Sequence, residues 1–238
     1  MLLILAAGFT SFLTAAVGIG GGVLLLALMA SVLPVSALIP VHGLVQAGSN
    51  GSRTFLTWSH IDWSIVRFFS AGALLGAALA SVVVVQLPLY IIQFCVAFFI
   101  LYLLWGPKPG KHEVSRAGRV AAGTLTTLLT MFVGATGPLV AGFVHRQASD
   151  KFTVTATFAC CMTFQHLLKM LVFSFVGFAF WQWLPLIGLM ILSGFVGTWL
   201  GLRVLHRVSG AQFQTLFRAI VTLLALRLLW QASAVFCE

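Results

Sequence analysis

The chain has 238 residues, 61% of them hydrophobic, with 13 Lys+Arg and 4 Asp+Glu. So few charges cannot clothe a soluble surface, and at ~20 residues per helical span roughly seven or eight membrane segments use up the length, which excludes enzymes that need a separate soluble catalytic domain. The +9 net charge lies mostly between apolar runs, where it sets orientation and meets anionic lipid, so nucleic acid is not an expected partner.

Eight apolar runs are predicted as helices: Leu2 to Leu33, Ala37 to Trp58, Ile65 to Val85, Leu89 to Trp105, Val120 to Val144, Val154 to Phe180, Leu184 to Leu205 and Phe213 to Val235. They lack the polar-apolar alternation of a closed β-barrel. Met1 to Ala16 has no basic leader and the apolar pattern continues past it, so it is read as part of the mature fold. Cys95, Cys160, Cys161 and Cys237 match no CxxC or zinc spacing, and neither a disulfide, a metal nor a cofactor is expected.

The chain repeats itself. Val17-Gly18 answers Val133-Gly134, Gln46 answers Gln165, Trp63 answers Trp183, Gly76 answers Gly197, and Leu104-Trp105 answers Leu229-Trp230, at offsets rising from 116 to 125. Ordered offsets of this kind mark a duplication with small insertions, giving halves of 1–108 and 109–238. The first run of each half is interrupted, by Gly18-Ile19-Gly20-Gly21-Gly22 and by Gly134-Ala135-Thr136-Gly137-Pro138. Glycines and Gly-Pro disfavour a continuous helix, so each run is predicted as two half-helices meeting inside the membrane.

A re-entrant pair leaves three spans per half and inverts the halves. Under that plan Arg53, Arg67, Lys108, Lys111, Arg116, Arg119, Arg146, Lys151, Arg203 and Arg207 fall on one side, whereas eight full crossings would divide them between both sides and obey no orientation rule. The predicted fold is therefore all-α and polytopic: two inverted repeats, each with one broken or re-entrant helix plus three spanning helices, and both termini outside the cytoplasm. Arg227 fits this plan poorly.

Asp62, Glu113, Asp150 and Glu238 fall in connections or at the terminus, leaving Lys169, Arg218 and Arg227 as the cations within spans. Lys169 has no acidic partner in any span, and an anion would satisfy it, as would water or the carbonyls of a broken helix, a neutral amine being the remaining alternative. Arg218 is expected to snorkel toward the cytoplasm. Polar residues cluster at helical spacing in two runs, His42, Gln46, Ser49/Asn50 and Arg53 in one and Gln165, His166 and Lys169 in the other. Interhelical hydrogen bonding is the ordinary reading of such residues; their placement beside two broken helices points to a binding site. His42, His166 and Arg53 are candidates for contact with substrate or for a proton link, neutral hydrogen-bonded histidines being the plain alternative. Half-helix N-termini present unpaired N–H groups to a small oxyanion, so Gly18, Gly20, Gly21, Gly22, Gly134, Thr136 and Gly137 join Gln46, Asn50, Gln165 and Lys169 as expected substrate-binding residues. Gly72/Gly76 and Ser193/Gly197/Gly201 are expected to serve close helix packing, and Trp58, Trp63, Trp105, Trp181, Trp183 and Trp230 to anchor run ends at the interface.

The stretch TAAVGIGGGVLLLALMASVLPVSALIPVHG, followed by a polar second helix and HIDW, resembles the N-terminal half of the sulfite exporter TauE/SafE permeases, also called the 4-toluene sulfonate uptake permease family. The resemblance covers nearly the whole chain. His60 stands where a glycine is usual, and GATGP replaces the second glycine cluster. The resemblance implies a permease, not an enzyme, for sulfur-containing anions such as sulfite, sulfoacetate or other sulfonates in a bacterial or archaeal cytoplasmic membrane. It carries over Gly18, Gly20, Gly21, Gly22, Gly134 and Gly137 as the paired breaks, and leaves open a coupling ion (proton or sodium) and a homodimer. The rival readings are an anion channel and a non-transporting membrane assembly or sulfur-relay protein.

Overall fold

The computed structural model describes residues 1–18, 20–83, 114–145, 147 and 150–205, with the isolated positions 94, 98, 101–102, 105–106, 222, 226, 229–230 and 233. Most of the predicted fourth and eighth runs, Ile19, Lys108, Lys111, Glu113, Arg146, Arg207, Arg218, Arg227, Glu238, Cys95 and Cys237 lie outside the described residues.

One order of elements occurs twice. In the first half α1 (Leu2–Val17) and α2 (Gly21–Ala30) flank a break, α3 (Val35–Leu56) follows, and a 3-10 turn (Trp58–His60) leads into α4 (Trp63–Val83). In the second half α5 (Arg116–Val133) and α6 (Gly137–His145) flank a break, α7 (Lys151–Phe175) follows, and a 3-10 turn (Phe180–Trp183) leads into α8 (Leu184–Val204). Among the described residues three stretches are long and apolar enough to cross a membrane: Trp63–Val82, Lys151–Phe175 and Phe180–Val204. With 22 residues α3 has the length, but His42, Gln46, Ser49, Asn50 and Arg53 lower its apolarity.

Polarity is distributed inside out relative to a water-soluble protein. Leu74, Leu75, Leu79 and Val82 of α4 and Leu189, Leu192 and Val196 of α8 are exposed, while Arg53 and Lys169 are 1% and 0% exposed. An apolar exterior is what lipid requires, and the cost of a buried polar group leaves the interior to residues that find partners. Among the described residues the carboxylates sit at helix starts. Asp62 Oδ1 accepts from the N–H groups of Ser64 and Ile65, and Asp150 Oδ2 from the N–H and hydroxyl of Thr153, so each caps a helix N-terminus. Of the tryptophans expected as anchors, Trp58, Trp63, Trp105, Trp181 and Trp230 are exposed and Trp183 is half-buried; the exposed ones have the amphipathic character of interfacial anchors.

The halves interlock by exchange: α1 packs chiefly on α8, α4 chiefly on α5, and α3 meets α7 at the centre. Small residues bring the outer pairs together. A Cβ at Gly72 would fall on the Val120 carbonyl, one at Gly76 on the Thr124 carbonyl, and one at Gly197 on the Gly8 carbonyl. This is the close packing expected of those glycines, and it lets dispersion replace a hydrophobic drive that lipid does not supply. Hydroxyls stitch the centre, with Ser11 and Ser49 2.8 Å apart and Thr54 and Thr163 3.2 Å apart.

Candidate functional site

Both breaks are built on left-handed glycines. α1 ends at Gly18 (φ 92), whose N–H donates to the Thr14 carbonyl at 2.8 Å, and Gly20 (φ 109) precedes α2. α5 ends at Gly134 (φ 83), whose N–H donates to the Thr130 carbonyl at 3.0 Å. A side chain at these φ values would be strained. The breaks are shorter than the glycine-rich motifs. Gly21 and Gly22 form the first turn of α2, and Gly137 and Pro138 the first turn of α6, where the missing proline N–H forfeits no intrahelical bond. A Cβ at Gly21 would fall on the Thr10 carbonyl and the Thr14 hydroxyl, so the start of α2 lies against the α1 backbone about two turns before α1 ends.

The two first turns face one cavity. Its walls include Thr14, Gly20, Gly22 and Val23 from the first break, Ala135, Gly137 and Pro138 from the second, His42, Gln46 and Asn50 from α3, and Phe158, Met162 and His166 from α7. At ≈ 20 Å³ it has room for about one water; a sulfur oxyanion is larger, so its walls must part to admit one. Gln46 Oε1 accepts from Asn50 Nδ2 at 3.2 Å, and Gln46 Nε2 has no partner among the described residues. The His42 and His166 rings meet edge to face with centroids 6.1 Å apart, and Nδ1 of each is buried without a hydrogen bond. The site thus offers two helix N-termini, a primary amide and two imidazoles.

The residues expected from the duplication do not act alike. On α3 the stripe His42, Gln46, Asn50 lines the cavity. At the Gln46–Gln165 offset its counterparts on α7 are Cys161, Gln165 and Lys169, and these do not line it. Gln165 Oε1 accepts from the Thr136 hydroxyl, while Nε2 donates to the hydroxyls of Thr126 and Thr127, each at 3.0 Å, which takes both amide hydrogens. Lys169 Nζ donates to the Gly134 carbonyl at 2.7 Å, and the Thr130 hydroxyl donates to the same oxygen at 3.3 Å. These contacts hold the second break in place. Arg53, the last member of the polar cluster expected on the second run, is buried in the last turn of α3 with Nη1 on Asn50 Oδ1 at 3.1 Å and does not line the cavity. Gly18, Gly21, Gly134 and Thr136 shape the breaks behind the cavity wall. Cys160 and Cys161 are free thiols, the second fully buried, and neither reaches the cavity.

Sequence reasoning missed Thr126, Thr127 and Thr130, which complete the support of the second break. Their signal was present: Thr10 and Thr14 answer Thr126 and Thr130 at the same 116-residue offset as the two breaks. The wall residues Phe158 and Met162, ordinary members of an apolar helix, gave none.

No curated protein and no solved structure matches the chain significantly. The family model described as sulfite exporter TauE/SafE matches residues 3–228. With nearly the whole length covered, and a break of left-handed glycine in each half opening on a shared cavity, this chain belongs to the sulfite exporter TauE/SafE family, a family of membrane transporters and not of enzymes.

Proposed function

We propose that the protein carries small sulfur-containing anions, sulfite, sulfoacetate or another sulfonate, across the membrane by alternating access, in the direction of export. The observation that carries this reading is the convergence of the α2 and α6 first turns with the uncommitted Gln46 amide on one buried cavity. The first-turn N–H groups of α2, the Gly137 N–H of α6 and the positive ends of two helix dipoles favour an anion there, and the glycine backbones let it come close. Gln46 Nε2 and the imidazoles would hydrogen-bond its oxygens. Lys169 adds positive potential from behind the wall. Gln165, Lys169, Thr136 and Gly134 serve the anion indirectly, by fixing the tip of α6.

The architecture supporting this reading is a pair of inverted repeats, each with a re-entrant first pair of helices, and both termini on the non-cytoplasmic side. The seating of the start of α2 against α1, the recurrent element order and the exchange packing favour it. Cysteines at Lys111 and Lys151 should then be labelled from the same cytoplasmic face. Labelling from opposite faces would overturn this topology.

Function is tested by flux of sulfite, sulfoacetate, taurine, thiosulfate and sulfate in proteoliposomes, comparing the native chain with Gln46→Leu. Uptake of at least one sulfur oxyanion, reduced at least tenfold in the variant while it still folds, is expected. Flux of none refutes the reading, and unitary conductance without counter-flow would replace the carrier by a channel.

A further inference from the structure

Arg53 is buried without a counter-charge. It is 1% exposed, lies in the last turn of α3, and has no ion-pair partner among the described residues. Its Nε is buried without a hydrogen bond, while Nη1 donates to Asn50 Oδ1 at 3.1 Å. A guanidinium so poorly compensated costs stability that an apolar side chain would not. What it supplies is direction. A guanidinium can only donate, so the Asn50 atom that faces it is the oxygen. The nitrogen of the same amide donates to the Gln46 backbone carbonyl at 2.9 Å, a group that can only accept, and to Gln46 Oε1 at 3.2 Å. With Asn50 presenting hydrogens, the Gln46 amide must meet it oxygen first. Both amides are thus oriented by groups whose roles cannot be exchanged, the Arg53 guanidinium and a backbone carbonyl.

The Gln46 nitrogen is thereby left for the cavity. Nε2 makes no hydrogen bond among the described residues, and its neighbours do not seal it off. The amide lies over Gly22 in the first turn of α2, where an added Cβ would stand 3.4 Å from Nε2, and both residues line the cavity. Acceptors that the first half brings to this wall are already engaged. The Gly22 carbonyl takes the His42 Nε2 hydrogen at 2.9 Å, and the Gly20 carbonyl takes the Leu24 N–H at 3.2 Å. The Thr14 hydroxyl, whose hydrogen goes to the Thr10 carbonyl at 2.9 Å, and His166 can each still accept, so the bias toward donation rests on Gln46. An amide N–H facing the ligand favours an oxygen lone pair and opposes an O–H. Resting on the anion-carrier reading above, we propose that Arg53 and Asn50 are positioning residues that fix the Gln46 carboxamide with its NH2 toward the cavity, so that the site prefers oxyanions without an acidic hydrogen to those of equal size and charge that carry one.

The test is calorimetric binding of methanesulfonate and methylphosphonate to the purified full chain in detergent, at a mildly acidic pH where both are monoanions and the phosphonate keeps one hydrogen. The two ligands share charge and nearly share shape, so the field of the helix ends and of Arg53 acts on both alike. The native chain should prefer methanesulfonate by about tenfold, the cost of one frustrated buried hydrogen bond. Asn50→Asp leaves only acceptors opposite Gln46, whose amide must then turn its nitrogen to the new carboxylate and its oxygen to the cavity; the preference should vanish or invert. Arg53→Met, which leaves Asn50 Oδ1 without a donor, should weaken the preference several-fold, and Arg53→Lys, which restores one, should recover it. A merely structural loss would lower both affinities together and leave their ratio unchanged. Equal native affinities, or a native preference for the phosphonate, overturn the proposal and leave the carrier reading standing, as does a preference that survives both Asn50→Asp and Arg53→Met. If these variants do not fold, Gln46→Glu decides, because it places an acceptor on the same wall; a preference undiminished there refutes the assignment. Failure of both methanesulfonate and sulfite to bind the native chain overturns the carrier reading and this specificity together.

Discussion

Replacing Gln165 by Leu separates a residue that touches the anion from one that holds the tip of α6. The substitution nearly conserves volume and removes three hydrogen bonds at 3.0 Å, one from Thr136 and two to Thr126 and Thr127. Interhelical hydrogen bonds in membranes average about 0.6 kcal/mol, so three come to about 2 kcal/mol. For a chain of this size that is a fall in melting temperature of about 4–8 °C. Thermal unfolding in detergent, followed by intrinsic fluorescence, measures it directly. Thr127→Val should lose about a third as much, and the double variant less than the sum, because the two share a bond. Sulfite binding to the folded fraction of Gln165→Leu should change far less than stability does. An unchanged melting temperature with a tenfold loss of sulfite affinity would refute this account and return Gln165 to the cavity wall.

Gly76→Ala puts a methyl onto the Thr124 carbonyl and must part α4 from α5, costing on the order of 1–3 kcal/mol; Gly188→Ala, which meets open space, should be neutral or up to about 1 kcal/mol stabilising. The fraction remaining monodisperse after heating distinguishes them. Gly43→Ala sets a Cβ 2.8 Å from the Lys169 Cδ and should displace the ammonium from the Gly134 carbonyl; transport is expected to fall several-fold with the charge count unchanged. The Thr153 N–H and hydroxyl hold the Asp150 carboxyl below its ordinary pKa. Its capping contribution is therefore full at neutral pH and is lost as pH falls through that lowered value. Asp150→Asn should flatten this acid dependence in melts across about pH 2 to 5.

The breaks were legible in the sequence because only glycine readily takes the φ of Gly18, Gly20 and Gly134, and a pair of such interruptions inside apolar runs has few other uses. The close-packed glycines were legible for a similar reason, since an absent side chain at helical spacing is itself the signal. Which face of α7 meets the cavity was not. The stripes Cys161/Gln165/Lys169 and Phe158/Met162/His166 differ by three positions, a helix rotation of about 60°, and polarity favoured the first. The second borders the cavity because the polar groups of the first found nearer partners in threonine hydroxyls and in a carbonyl freed by the break. Arg53 was legible as a member of the second run's polar cluster, but not that Asn50, one turn earlier on the same helix, takes its guanidinium in a buried hydrogen bond away from the cavity.

The two tips are fastened by different means. α2 is seated backbone to backbone on α1, which precedes it, whereas α6 is tied by the side chains of Gln165 and Lys169 to α7, which follows it. A duplicated gate with identical fittings would open with the same ease toward either compartment. Under the alternating access proposed above, unequal fittings make the two openings kinetically distinct, so substrate presented from opposite faces should meet different KM values. The equilibrium distribution across the membrane is untouched by this inequality, because the fittings return to their starting state with each turnover and add no free energy to it. What it changes is the compartment in which the empty binding site spends most of its time waiting.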